Sequence, residues 1–177
     1  MAGTNVANIP EIINGFNAYN RGNVLIGVTG SVALPSFDAI METISGAGIL
    51  GEYETAVVGQ YGSMKQEVPF RVLDSDCFTI MDPTELVDLT FRASAQSTVK
   101  ATGALNYKGM RVVERGRLAG FNPGTLEQGK QMGASVTLEV LYILVEIDGV
   151  KKLEYDKLNS VFVVDGKDLL EKVRGYC

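Results

Sequence analysis

Two long runs rich in β-branched and aromatic residues, Ser135 to Ile147 and Val150 to Val164, flank the dipeptide Asp148-Gly149. Asp-Gly tolerates the positive φ that a type I′ turn demands at both central positions, so this spacing predicts an antiparallel hairpin. The first run alternates apolar and polar residues only at its start. From Val140 to Val145 every residue is apolar, which a sheet with one face in water does not tolerate. One side must face a core, and the other a neighbouring chain or a covering helix.

The remaining elements read mainly as strands. "NVLIGVTGSVAL" from Asn23 ends as a strand at Pro35. "EYETAVVGQY" and "SMKQEVPFRVL" read as two strands parted at Gly62-Ser63, and "STVKATGALNY" and "MRVVERGRLAGF" as a hairpin turning at Lys108-Gly109. The segment from Phe121 to Gly133, punctuated by Gly124, Gly129 and Gly133, is a loop by composition. One flanking helix is expected over about 82–91, with Asp82 as N-cap, Pro83 at its first position, Glu85 closing a capping box, and Leu86 and Leu89 on its buried face. A short C-terminal helix over about 166–174, capped by Asp165, competes with a second Asp-Gly hairpin at Asp165-Gly166. Residues 1–22, with Pro10, Gly15 and several asparagines, read as an irregular lead-in whose order would need a partner. With no internal repeat or linker, residues 1–177 are expected to form a single domain.

Residues Gly46 to Gly51 spell G-x-G-x-x-G, with the acidic Glu67 following 21 positions after the first glycine. A dinucleotide site needs a buried strand before such a turn and a helix N-terminus after it. Here "PSFDAIMETI" is not a buried β-run and "EYETAVVGQY" is strand-like, so the context is missing on both sides. Catalysis is also disfavoured. The chain has no histidine to serve as the usual base of a Ser or Cys triad, no G-x-S-x-G and no Walker motif. Acid pairs such as Asp74 with Asp76 or Glu52 with Glu54 are ordinarily solvated. No catalytic residue, cofactor or metal ligand is therefore assigned.

Cys77 and Cys177 form no metal or disulfide pattern. The N-terminus has no signal-peptide pattern and no apolar run is long enough to span a membrane, so assembly in a cytosol is expected. A net charge of −5 disfavours a sequence-independent grip on nucleic acid. Hydrophobic residues make up 46% of the chain. A well-filled core and burial between subunits both account for that share.

The order of "VALPSF" at Val32 to Phe37, "ISGAGILGEYE", "ERGRLAGFNPGTLEQGKQMG" at Glu114 to Gly133, "YILVEIDGVKKLEYDKLN" and "DGKDLLEKVR" resembles the major tail tube proteins of contractile-tailed bacteriophages and phage-tail-like particles. The resemblance implies a mainly β fold, an antiparallel barrel or sandwich of two sheets with a flanking helix. It further implies hexameric rings stacked into the inner tube of a contractile tail. The implied partners are further copies of the chain, the tail sheath protein, the tape measure protein, the baseplate and tail terminator proteins, and DNA in transit without sequence-specific binding. The implied location is the virion tail, assembled in the host bacterial cytoplasm.

On this reading residues 34–52, including Leu34, Pro35, Gly46, Gly48 and Gly51, form an inter-subunit loop whose glycines serve close backbone packing. Arg115 and Arg117 are candidates for charge contacts with a neighbouring subunit, and Glu52, Glu54, Glu67 and Glu139 for the lumen wall. The alternatives are a capsid-less or type VI-like injection tube and, from another class, a monomeric β-barrel enzyme or small-molecule binder.

Overall fold

The computed structural model describes residues 7–177. In chain order the elements are strands β1 (Asn8–Asn20), β2 (Asn23–Val24), β3 (Ala39–Ser45), β4 (Glu52–Tyr61) and β5 (Lys65–Phe70), and the single-turn helix α1 (Ser75–Phe78). They continue through β6 (Val87–Val99), β7 (Leu105–Asn122), β8 (Ala134–Ile147), β9 (Val150–Asp156), β10 (Val161–Val164), β11 (Lys167–Asp168) and helix α2 (Glu171–Tyr176). The fold is mainly β and antiparallel, as expected.

One sheet runs β11-β10-β9-β8-β7-β6-β1-β2, with β5 added to the free edge of the first half of β8. It curls until its ends meet. The chain leaving β2 bridges β5 at Val28 and Phe70, and the Thr29 amide donates to the Pro69 carbonyl at 3.0 Å and the Arg71 amide to the Gly27 carbonyl at 2.9 Å. This closure gives β5, β8, β7, β6 and β1 a shared interior, filled by Phe70, Leu89, Phe91, Val112, Leu138 and Val140 among others. The Asp148-Gly149 hairpin forms as read, with φ of 51° and 76° at the two turn residues.

Several sequence expectations are corrected. Asn8–Asn20, read as irregular, is a strand paired along its length with β6; residues 1–6 of that lead-in lie outside the described residues. The helix over 82–91 is absent. The Asp82 carboxylate instead accepts from the Thr84 amide (2.8 Å) and hydroxyl (2.6 Å) in a tight turn. Val87, Leu89 and Phe91 then alternate into the core as β6. Asp82 therefore closes a turn and caps no helix, and the period-2 apolar pattern makes the next segment a strand.

The flanking helix lies earlier, at Ser75–Phe78, with the Asp74 carboxylate accepting from the Ser75 amide. The turn between β6 and β7 falls at residues 100–104, leaving Lys108 and Gly109 inside β7. At the C-terminus, Asp165-Gly166 makes the hairpin turn between β10 and β11, and the helix begins only at Glu171. Only Asn23–Val24 of the first expected strand is a regular strand.

Candidate assembly surface

Residues 39–61 form a hairpin rather than a loop. Among the described residues, strands β3 and β4 pair only with each other, as a two-stranded sheet outside the barrel. An isolated two-stranded hairpin is marginal in water, so its root must be held. Phe37, Tyr61, Tyr155 and Phe162 pack edge-to-face there with ring centroids 5.3–5.8 Å apart. The Tyr155 hydroxyl donates to the Gly59 carbonyl at 3.0 Å, and Lys157 Nζ to that of Gly62 at 3.0 Å. Gly59 has φ +78°, and a Cβ there would sit 2.9 Å from both methyls of Leu170. The root is clamped and the tip is free.

The register gives the projecting end of the hairpin a pair of unlike faces. Ser45 opposes Glu52 and Thr43 opposes Glu54, which puts both acids on one polar face. Ile44 opposes Tyr53 and Glu42 opposes Thr55 on the other, and strand alternation adds Val57 there. Tyr53 is 53% exposed and Leu50, at the tip, fully so. Between Asn23 and Met64 the chain carries the acids Asp38, Glu42, Glu52 and Glu54 and no basic residue. Gly46, Gly48 and Gly51 all have positive φ, and a Cβ at any of them would meet nothing within 4 Å among the described residues. Their role inside the subunit is conformational, to turn the chain. Of the other loop candidates, Leu34 is exposed and Pro35 is buried.

The four acids expected together are divided into two pairs. Glu67 and Glu139 lie not on the hairpin but on the outer wall of the barrel, where Glu67 pairs with Thr137 and Lys65 with Glu139. Glu139 is not free. Burial alone would raise its carboxyl, but the Ser63 hydroxyl (2.6 Å), the Met64 amide and Lys157 outweigh that and hold it below the usual range. Arg115 is likewise engaged within the subunit, bonded to Asp88 at 3.0 Å and set 5.0 Å from the Tyr142 ring centre. Arg117 is exposed and makes no ion pair among the described residues. Because the Arg115–Asp88 pair is open to water, Arg115→Ala is expected to change subunit stability by less than about 1 kcal/mol in a urea titration.

One residue was missed. Glu114 is 2% exposed, lies between Leu89 of β6 and Ile143 of β8, and neither carboxylate oxygen has a hydrogen-bond partner among the described residues. Burial pushes its carboxyl up to about 8. A signal for it existed in the strand period. Arg111, Arg115 and Arg117 share one parity with the solvent, which assigns Glu114 to the other parity with Val112 and Leu118.

Against known proteins, the phage tail tube protein FII family model matches residues 10–176. The chain is 25% identical over 167 residues to the tail tube protein of Escherichia phage P2, covering 94% of this chain and 96% of that one. It is 27% identical over 166 residues to the major tail tube protein of Serratia phage KSP20, covering 91% of each.

Proposed function

The chain belongs to the phage tail tube protein FII family, and on that premise we propose that it is the structural subunit of a tail tube, with six copies closing a ring and rings stacking into the inner conduit of a contractile tail. The observation that carries this reading is the β3–β4 hairpin. Beyond its clamped root it projects from the barrel, and among the described residues neither outer strand edge is paired. A soluble monomer has no use for such an element, since open edges and exposed apolar residues invite pairing with other chains. In an assembly each face has an environment that suits it. The face with Ile44 and Tyr53 covers a neighbouring copy, and the face with Glu52 and Glu54 borders the lumen.

Carboxylates there repel phosphate, so passing DNA is not trapped. Glu67 and Glu139 sit on a different wall and are weaker lumen candidates, Glu139 because its charge is already compensated. Arg117 remains available for a contact between subunits. Sheath on the outside, a tape measure chain inside during assembly, and baseplate and terminator proteins at the two ends complete the proposed set of partners. The role is mechanical rather than catalytic, in the tail of the virion, with assembly in the host cytoplasm.

Negative-stain electron microscopy of the concentrated chain, with and without baseplate proteins, tests the reading. Hollow tubes or six-membered rings are the expected result; monomers under both conditions overturn it. Gly48→Val separates assembly from folding. The substitution strains only a solvent-exposed tip with φ +89° and open space around it. The subunit should keep its circular dichroism spectrum and urea midpoint while tubes disappear. Normal tubes from this variant would remove the hairpin tip from the interface.

A further inference from the structure

The β3–β4 hairpin changes character where its pairing breaks. Its outer arm is regular from Met41–Ala56 to Ser45–Glu52, but the next pair toward the barrel is Ala39–Tyr61, so Val57 to Gln60 stand against Ile40 alone. Surplus residues of this kind bend the strand that carries them. They lie between the free arm and the aromatic clamp at Tyr61, and Gly59 among them has φ +78°. From Ile40 to Val58 no hydrogen bond among the described residues joins the hairpin to the barrel, and the first is that of the Tyr155 hydroxyl to the Gly59 carbonyl. One hydrogen bond fixes a point and leaves the angle about it free.

The second contact at that point comes from the C-terminal end of the chain. The methyls of Leu170 lie so close over Gly59 that any Cβ there would push them aside. Leu170 is 8% exposed and is held by the barrel rather than by the hairpin. Its amide donates to Asp168 Oδ1 at 3.0 Å, and the Leu169 amide to the Phe162 carbonyl at 2.9 Å. Helix α2, which follows, buries none of its residues. Its place therefore depends on Arg174, whose guanidinium donates to the Ser160 carbonyl at 2.8 Å and pairs with Asp168. Room for movement lies on the same side, where a groove of about 430 Å³ separates Ile40 and Val58 of the hairpin from Val173 of α2.

We propose that Gly59 is a hinge and Leu170 a latch upon it: the C-terminal segment, anchored on β10 and β11, sets the angle at which the hairpin leaves the barrel. Leu170 is thus a positioning residue for the arm and not only a member of the core. Hinges of this kind are a few residues that absorb a backbone rotation between two rigid parts. Here the rigid parts are the barrel and the regular arm.

The hinge is a property of the single subunit, and its consequence for the tube rests on the self-assembly proposed above. The test is the distance distribution by double electron–electron resonance in the dilute subunit. Spin labels are placed at Leu50→Cys on the exposed tip and Lys151→Cys on β9, on a Cys177→Ser background in which the remaining Cys77 is buried. The parent is expected to give one narrow distribution, Leu170→Ala to widen it about twofold, and Leu170→Met, which conserves volume, to keep the parental width. Arg174→Ala loosens the anchor at an exposed position without opening the core, and should widen the distribution even where Leu170→Ala fails to fold. A broad parent distribution, or the parental width in either folded alanine variant, overturns the latch. Tube formation by Leu170→Ala should need about tenfold more protein, because only a fraction of free arms stands at the competent angle. An unchanged requirement overturns the latch's part in assembly, whereas a parent that never assembles overturns the tube and leaves the latch to the distances.

Discussion

Replacing Glu114 by glutamine raises the urea midpoint of the subunit at pH 8 and flattens its dependence on pH. The native carboxyl is pushed up to about 8 by burial, against an ordinary 4.5, and its raised value fixes the sign of the effect. Below about pH 4.5 the group is neutral in both states and its burial carries no ionisation cost. Between about 4.5 and 8 the unfolded chain has given up the proton while the native state still holds it, so stability falls as pH rises. Above about 8 both states are ionised and the slope ends. Each pH unit within the window costs about 1.4 kcal/mol, which makes the whole effect several kcal/mol, among the largest a single side chain exerts.

Opposing slopes arise only at the acid end. There Asp82, Asp165 and Asp168, held below their usual range by Thr84, Lys152 and Arg174 respectively, must be protonated. Glu114→Gln keeps the shape and removes the titration. Its midpoint should meet that of the parent chain near pH 4.5 and exceed it increasingly up to pH 8. Parallel profiles for the two chains would mean that Glu114 is solvated in solution and not buried between Leu89 and Ile143.

The second large effect concerns a glycine that the strand pairing cannot spare. At Gly116 a Cβ would stand 2.4 Å from the Glu139 carbonyl oxygen and 3.0 Å from its carbon. Both atoms are backbone, so no side chain can move aside. The cause is the register shift at Arg115/Gly116, where Arg115 opposes Tyr142 but Gly116 opposes Val140. The extra residue, Leu141, bulges the backbone of β8 toward β7. Gly116→Ala must force the two longest strands of the barrel apart, and a loss of about 3 kcal/mol is expected.

Gly120, four residues along the same strand, is the control. A Cβ there meets only Thr137 Cβ at 3.8 Å, an ordinary contact. Gly120→Ala should therefore lie within about 1 kcal/mol of the parent, on the stabilising side through reduced freedom of the unfolded chain. Equal urea midpoints for the two alanine variants would show that β8 relaxes around the bulge.

The same contrast explains why the glycine-rich stretch at Gly46 to Gly51 misleads when read as a motif. Its glycines turn a hairpin in open solvent, whereas Gly116, in no recognisable motif, lies against the backbone of a neighbouring strand. Local composition reports where the chain turns. It does not report which backbone lies across the gap.

The sequence by itself determined whatever depends on neighbours a few residues apart. The Asp148-Gly149 hairpin, the break between strands at Gly62-Ser63 and the loop after Asn122 arise from local φ preferences and strand period. So does the predominance of β structure. The helix over 82–91 fails because Asp82 closes a turn onto Thr84 instead of capping a helix. Tertiary structure decided whatever depends on residues distant in sequence. It joined β1 to β6 across more than sixty residues, closed the barrel from Val28 to Phe70, and set β4 and β5, adjacent in sequence, into different sheets. It separated Glu52 and Glu54 from Glu67 and Glu139, tied Arg115 to Asp88, and buried Glu114. Pairing partners are chosen by the total apolar area a register buries, and that quantity is a property of the closed sheet, which no single segment carries.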